Sequence, residues 1–232
     1  MIKTILFNSL CLIYSSQKFN KMKQLTFIAV IIVSAAVAFA QKVDPQALLK
    51  QASEKAAAYQ TISADFTYSL KNASARLDDS QKGKITVKGD KYCLEIAQQI
   101  IFSDGKAVYT VMPDAKEVQI NDIEDMDDAI TPSKIFTDYY KNFTATSVTE
   151  KTIKGIVCQV IELESVNKKE FTKAVLTVAK SDLIPQELQM TDKKGTLHTY
   201  TLEHFTVNQP IDDAVFTFKQ GNYKDYDVID MR

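Results

Sequence analysis

Histidines, cysteines and clustered carboxylates are the side chains of this sequence whose chemistry could support catalysis or metal binding. The two histidines, His198 and His204, lie six residues apart in a segment of alternating polarity that predicts a β-strand. Side chains at that spacing share one face of a strand but are separated by about 20 Å, which is too far for one metal ion to bridge. We therefore expect both to be surface or core histidines rather than metal ligands.

An acidic run could in principle bind calcium, because five carboxylates cluster in one short stretch: Asp122, Glu124, Asp125, Asp127 and Asp128. The run lacks the central glycine and the terminal glutamate of an EF-hand loop, so a solvated loop is the better interpretation. The sequence also has no P-loop, no glycine-rich dinucleotide turn after a strand and no Gly-x-Ser-x-Gly elbow. We predict no cofactor, no metal and no enzyme activity.

The N-terminal 40 residues resemble an export signal. From Met22 a basic start precedes an apolar run, Leu25 to Phe39, and small residues stand at Ala38 and Ala40. The run has about 15 residues, short of the roughly 20 that span a bilayer as a helix. We expect translation from Met22, cleavage after Ala40 and an exported mature chain of residues 41–232; whether residues 1–21 are translated stays open.

The charge of the mature chain argues against some partners. The leader holds four of the 28 basic residues and no acid, which leaves 24 basic against 29 acidic residues beyond residue 40. A mildly acidic chain without a basic groove does not fit nucleic acid or an anionic membrane as its main partner. The length suits one domain, expected to be a monomer. Cys93 and Cys158 are compatible with a disulfide or with two buried thiols.

Periodicity predicts one helix followed by a series of strands. Asp44 is a good N-cap before Pro45, and Leu48, Ala52, Ala56 and Tyr59 form one helical stripe. From Thr61 the period changes to two, and short strands alternate with turn signals at Gly89-Asp90, Asp104-Gly105, Pro113-Asp114 and Lys194-Gly195. Mainly β architecture in one large antiparallel sheet or barrel follows.

An apolar and aromatic stretch interrupts the strands. Residues 133–141 follow Thr131-Pro132 and predict a short helix. Such an insert could form a lid over a binding site, or it could plug one end of a barrel core.

Several segments have to be read together. The most specific is Ser103-Asp104-Gly105-Lys106, following the segments 83–88 and 92–96 and preceding Val108-Tyr109 and Pro113. Upstream lies the segment 62–66, and downstream lie the segments 214–218 and 227–232. Together these segments resemble the LolA family of lipoprotein carriers: 62–66 is similar to its first strand, 214–218 is similar to its closing strand, and 227–232 fit less specifically.

The resemblance implies an open, curved antiparallel half-barrel with helices forming a lid or plug over an apolar cavity. It implies a periplasmic carrier that shuttles acylated lipoproteins from an inner-membrane exporter to an outer-membrane acceptor. A lipid- or glycolipid-binding protein, or an envelope-stress sensor, is the alternative. We expect the cavity wall to comprise Phe66, Tyr68, Leu70, Ile85, Val87, Tyr92, Leu94, Ile96, Tyr109 and Val111. We expect the lid contacts to be Ile130, Ile135, Phe136 and Tyr139.

Two features depart from the family pattern. Well-known members place an arginine directly after the Val-Lys of the second strand, where it holds the lid shut, and Gly89 stands there in this chain. Tryptophan is absent altogether, and Tyr92, Leu94 and Tyr109 occupy the corresponding strand positions. The way in which this chain closes its lid is therefore left open.

Overall fold

A computed structural model describes residues 43–123, 143–166 and 171–232. The chain divides into two units, Met1–Val43 and Asp44–Arg232, and every element below lies in the second. The predicted signal peptide and the predicted lid residues Ile130, Ile135, Phe136 and Tyr139 lie outside the described residues.

The first element is the predicted helix, α1, which spans Pro45–Ala57. The side chain of Asp44 caps it by accepting a hydrogen bond from the Gln46 N–H at 3.0 Å. Its buried side is broader than the predicted stripe, because Leu49 is fully buried beside Leu48 and Ala52. The helix packs on strands at one end of the sheet, where the Ala145 N–H of the edge strand donates to the Gln46 side chain at 2.7 Å.

The described residues form twelve strands of a single sheet. Their bounds are β1 Ile62–Asn72, β2 Leu77–Lys88, β3 Lys91–Ile96, β4 Gln99–Ser103, β5 Ala107–Met112, β6 Glu117–Asp122, β7 Phe143–Ile153, β8 Ile156–Ser165, β9 Phe171–Ala179, β10 Pro185–Asp192, β11 Leu197–Val207 and β12 Asp227–Asp230. The order across the sheet is β12-β6-β5-β4-β3-β2-β1-β11-β10-β9-β8-β7. All neighbours are antiparallel except the outermost pair, β12 and β6, which is parallel. The sheet is open and curved, as the family resemblance implied.

Alternation along the sequence did not predict β4, β7 or β12, and for β4 and β7 the reason is local. β4 follows a two-residue turn, Ala97-Gln98, in which both residues have positive φ (54° and 62°) although neither is glycine or asparagine. β7 is a polar edge strand whose register shifts between Ala145 and Ser147, so its alternation is broken. The four turn signals named above all fall between strands, as predicted.

The closing strand expected at residues 214–218 is wrong. Asp213–Phe216 forms one turn of 3-10 helix, capped by the Asp212 side chain, which accepts from the Ala214 N–H at 2.9 Å. A second short 3-10 turn spans Gln220–Asn222. Phe216 is fully buried, so the apolar pattern of this segment reflects packing against the sheet rather than strand pairing.

Different segments of the chain pack against the two faces of the sheet. The face on which α1 packs, here called the helix face, holds one buried cluster under the helix and a second around β1, β2 and β3. The opposite face carries a third cluster, on β4, β5 and β6, which packs against the C-terminal segment, residues 212–226. The sheet therefore buries apolar side chains on both faces in its β4–β6 region.

Candidate functional site

Cross-strand register brings eight of the ten predicted wall residues onto the helix face. One row runs Ile62, Val87, Tyr92 across three strands, and the next runs Ala64, Ile85, Leu94. Residues directly opposite one another in neighbouring strands share a face, so these rows form one continuous apolar surface. The predicted wall residues on the helix face are Phe66, Tyr68, Leu70, Ile85, Val87, Tyr92, Leu94 and Ile96.

Two predicted wall residues lie elsewhere, which corrects their assignment. Tyr109 is paired with Phe102, and Phe102 is paired with Cys93. Cys93 follows Tyr92 on β3, so the side chains of Cys93 and Tyr92 point to opposite faces of the sheet. Tyr109 and Val111 therefore face the opposite side of the sheet, beneath the C-terminal segment. The Tyr109 ring stacks on Phe218 with centroids 5.1 Å apart. Tight turns join the short strands β3 to β5. The sequence alone therefore did not determine which of their alternate residues lie on the same face of the sheet.

The apolar surface on the helix face is closed at one end and open at the other. Along β1, Ile62, Ala64 and Phe66 are buried, whereas Tyr68 and Leu70 are partly exposed. At the closed end burial raises the pKa of Tyr92 to about 12. At the open end β3 no longer accompanies β2, since their pairing begins only at Gly83. A groove of about 690 Å³ lies beside this end, but most of its lining, including Asp65, Glu95 and His204, belongs to the opposite face of the sheet.

Polar side chains stand at the open end. The Tyr68 hydroxyl lies 2.8 Å from Nδ1 of His198, and Nε2 of the same ring lies 3.6 Å from a carboxylate oxygen of Asp192. Tyr200 stacks on Tyr68 with centroids 4.7 Å apart and contacts both apolar clusters of the helix face. The sequence assigned no role to His198, because the alternation of β11 does not indicate that Tyr68 and Asp192 lie beside it.

The two histidines do not share a face, contrary to the sequence prediction. The pairing of β1 with β11 shifts register between Asp65 and Phe66, which leaves Glu203 as an extra residue in β11. Past this bulge the alternation is reversed, so His204 lies opposite Asp65 while His198 lies opposite Leu70. His204 Nδ1 is 3.3 Å from Asp65, and its side chain is 78% exposed.

Cys93 and Cys158 are both free and buried, which decides between the two alternatives in favour of thiols. Cys93 lies on β3 and Cys158 on β8, six strand positions apart in the sheet. At about 4.8 Å per strand they are separated by roughly 29 Å along the sheet. Burial, together with the nearby Glu95 carboxylate, raises the pKa of the Cys93 thiol to about 11.

The most specific motif, Ser103 to Lys106, builds a turn. The Asp104 carboxylate accepts hydrogen bonds from the Lys106 and Ala107 N–H groups at 2.8 and 2.9 Å. Partial burial opposes ionisation of Asp104, but these backbone bonds outweigh it and lower its pKa. Gly105 supplies the left-handed conformation, with φ +90°. The motif therefore orients β4 and β5, and its first residue, Ser103, lies buried on the helix face directly opposite Tyr92.

The position of the family's arginine is a turn in this chain. Gly89 has φ +58°, and a β-carbon added there would meet nothing within 4 Å. A side chain at this position would project from the β2–β3 turn. Among the described residues no three metal-ligating side chains come together, and no described helix is long and apolar enough to cross a membrane.

An open, curved antiparallel sheet with one long apolar face defines the fold class of this protein. The family model for the outer membrane lipoprotein carrier protein LolA matches residues 57–219, more than half of the chain. The chain belongs to the LolA family of outer-membrane lipoprotein carriers.

Solved structures resemble this chain at low sequence identity. An uncharacterized conserved protein from Thermus thermophilus superposes with a TM-score of 0.54 at 11% identity, covering 80% of this chain and 98% of that chain. A LolA superfamily protein from Nitrosomonas europaea gives a TM-score of 0.41 at 14% identity, covering 76% and 98%. No curated protein sequence matches the chain significantly. These likenesses concern the fold alone.

Proposed function

We propose that this protein is a periplasmic carrier that holds the acyl chains of lipoproteins on its helix face. It would receive them from an inner-membrane exporter and pass them to an outer-membrane acceptor. The observation that carries the proposal is the continuous apolar surface formed by Phe66, Ile85, Leu94 and their cross-strand neighbours. Membership in the LolA family supports the same assignment.

The need for such a surface follows from the energetics of exposed acyl chains. Each methylene removed from water contributes about 0.8 kcal/mol, so a 16-carbon chain exposed to water costs on the order of 12 kcal/mol. Two or three such chains do not cross an aqueous space unaided. A carrier has to match most of that burial without exceeding what the acceptor offers, because otherwise the cargo is not released.

The dimensions of the helix face suit an acyl chain. From Ile62 to Leu70 the β1 strand runs eight residue steps, which is about 26 Å at 3.3 Å per residue. A single lipid leaflet is about half of the roughly 30 Å hydrocarbon core of a bilayer. This stretch of β1 is longer than one acyl chain, so a chain would lie along part of it, with its head towards the partly exposed Tyr68 and Leu70.

The remaining parts of the proposal concern segments outside the described residues. Ile130, Ile135, Phe136 and Tyr139 would cover the helix face when no cargo is bound, and cargo would displace them. Their return would favour release. Residues 1–40 would direct export and be removed after Ala40, leaving a carrier that binds its cargo one to one as a monomer.

The test is release of lipoprotein from membranes. Purified residues 41–232 are incubated with spheroplasts that accumulate newly acylated lipoprotein, and soluble lipoprotein is measured by immunoblot and native mass spectrometry. We expect a one-to-one complex. Leu94→Glu should abolish release, because it places a charge in the apolar surface. Ile156→Glu is the matched control, since Ile156 is already 42% exposed, and it should release normally.

Absence of release by the wild-type chain, with the same exporter active towards a known carrier, would rule out the carrier function. Equal release by the wild type and Leu94→Glu would rule out the helix face as the binding surface. Native mass spectrometry of the Leu94→Glu protein alone provides the folding control.

A further inference from the structure

The outer edge of β2 is unpaired over half of its length. β2 pairs with β1 from Leu77 onwards but with β3 only from Gly83 onwards, and no other described strand lies beside residues 77–82. Five of these six residues are exposed, and Gln81 is half-buried. An unpaired strand edge presents a row of main-chain N–H and C=O groups with which a further strand can pair.

The turn after β2 determines which of its N–H groups point outwards. A two-residue turn joins β2 to β3, so Lys88 and Lys91, which flank the turn and pair directly, exchange main-chain hydrogen bonds. The N–H groups of a strand point alternately to its two sides, and the pairing of β1 with β2 has no register shift. Counting back from Lys88 therefore places on the unpaired edge the N–H groups of Asp78, Ser80 and Lys82.

A side chain already occupies one of these donors. The Ser80 N–H donates to Oδ1 of the adjacent Asp79 at 2.8 Å, and Oδ2 of the same carboxylate accepts from the Gln81 side chain at 3.1 Å. This bond agrees with an outward direction of the Ser80 N–H. The Asp79 carboxylate thus stands where a neighbouring strand would place a carbonyl oxygen, because a main-chain donor bonds to whatever acceptor is within reach.

The unpaired edge lies beside the end of the proposed acyl surface. In the β1–β2 register Tyr68 is opposite Gln81, and Leu70 is opposite Asp79. A lipid whose head lies towards Tyr68 and Leu70 therefore has the unpaired edge directly beside its head. The groove of about 690 Å³ opens where β3 leaves β2, so a chain can pass there from the helix face to the edge of the strand.

We propose that the unpaired edge of β2, residues 77–82, binds the extended peptide that follows the acylated residue of the cargo, as an added strand. This rests on the proposed function, because acyl chains on the helix face place the start of that peptide beside Gln81. A peptide that runs from there away from the closed end is antiparallel to β2, which is the more stable pairing. The unpaired edge spans about 20 Å at about 3.3 Å per residue, so it pairs with roughly six residues of peptide.

Main-chain pairing suits a carrier of acylated proteins. The acyl chains of phospholipids and of acylated proteins are alike, so burial of methylenes does not distinguish the two. Only the acylated protein brings a peptide, and main-chain hydrogen bonds hold a peptide whatever its side chains are. The unpaired edge would therefore select acylated proteins as a class over phospholipids, without selecting among them.

The experiment compares two ligands with the same acyl chains. One is N-acetylated dioctanoylglyceryl-cysteine amide, and the other carries in addition a neutral five-residue peptide of serine and alanine. Each ligand displaces the apolar dye N-phenylnaphthylamine from residues 41–232. We expect the lipopeptide to bind about tenfold more tightly, which corresponds to one or two net main-chain hydrogen bonds.

N-methylation of the lipopeptide tests the geometry of pairing. Only every second N–H of an added strand points towards β2. Two further lipopeptides are therefore compared, one methylated on the second and fourth peptide nitrogens and the other on the third and fifth. We expect one of them to lose the gain in affinity and the other to retain most of it.

Ser80→Pro tests the protein side, because it removes an N–H from the unpaired edge and leaves the bonds to β1 in place. Affinity for the lipopeptide should fall about fivefold, with the dye and the peptide-free ligand unaffected. Thr152→Pro is the matched control on the outermost strand, β7. Thr152 is exposed and precedes Ile153, which pairs with Ile156 across a two-residue turn, so its N–H also points away from the sheet. This variant should bind both ligands as the wild type does.

The outcomes separate this inference from the function on which it rests. Equal affinity of the wild type for the two ligands overturns the inference, and so does equal affinity for the two methylated lipopeptides, although dye displacement would still support an acyl-binding surface. If Ser80→Pro weakens the dye and both ligands alike, the proline has disturbed the fold, and the methylated lipopeptides decide. If neither ligand displaces the dye from the wild type, the proposed function fails together with the inference.

Discussion

The ring of Phe66 lies directly over the α-carbon of Gly83 on the neighbouring strand. A β-carbon added to Gly83 would come 2.4 Å from Cζ of Phe66, with the two adjacent ring carbons at 2.8 and 2.9 Å. The two residues are directly opposite in the β1–β2 register. An aromatic ring covering a cross-strand glycine in this way fills the space that a side chain would otherwise take.

Gly83→Ala should therefore destabilise the protein by about 1–3 kcal/mol, because Phe66 has to leave its position in a packed surface. Urea unfolding followed by circular dichroism measures the free energy of unfolding. Combining the change with Phe66→Leu should recover part of the loss, as contacting residues do in a double-mutant cycle. Gly221→Ala is the control, since a β-carbon there meets nothing within 4 Å. A loss as large in Gly221→Ala would contradict the explanation.

Both cysteines should react slowly with thiol reagents. Cys93 is 8% exposed and Cys158 is fully buried, and burial raises the pKa of both thiols. Slow labelling at pH 8 follows, because the thiolate is the reactive form. Intact mass after alkylation in urea should show two modified thiols per mature chain. One or no modified thiol after oxidative purification would mean that a disulfide forms.

Alkaline pH should destabilise the protein through Cys93. Its pKa is about 11 in the folded protein against an ordinary value of 9.0, so the unfolded chain ionises first as pH rises. The corresponding stability is fully present below about pH 9 and is lost between about pH 9 and 11, by at most about 3 kcal/mol. Cys93→Ala should show a shallower fall in the free energy of unfolding over that interval. Parallel curves for both proteins would contradict the assignment.

Asp213 should hold the C-terminal segment to the β2–β3 turn. Its two carboxylate oxygens lie 2.6 Å from Lys88 and 2.7 Å from Lys91, and hydrogen bonds from these lysines lower its pKa to about 2. Because the folded pKa is depressed, this contribution is present above about pH 4 and is lost as pH falls towards 2.

Asp213→Asn should accelerate hydrogen exchange of the Asn222 and Tyr223 amides, which donate to Lys219 and Gln220 at 2.9 Å. Asp225→Asn, at an exposed position in the same segment, is the control. Unchanged protection in Asp213→Asn would show that aromatic packing around Phe218 alone secures the segment.

Local patterns were sufficient for much of this fold. The Asp44 cap, the stripe from Leu48, and the turns at Gly89 and Gly105 depend on neighbouring residues, and each lies where the sequence predicted it. β4 escaped prediction because the left-handed turn Ala97-Gln98 lacks the usual residues. The lid residues and the signal peptide stay predictions, since they lie outside the described residues.

The sequence by itself determined that this chain is mainly β, that its wall residues around Phe66 and Leu94 are apolar at every second position, and that it resembles the LolA family. Only the tertiary structure decided which alternate residues share a face. A single extra residue, Glu203, reverses the phase of β11 and separates His198 from His204. Tyr109 and Val111 face away from the helix face for a related reason, because register is set by hairpin turns and pairing between strands. Alternation within one strand carries no information about its neighbours, so the polar chain at Tyr68 and His198 forms only when the strands are assembled.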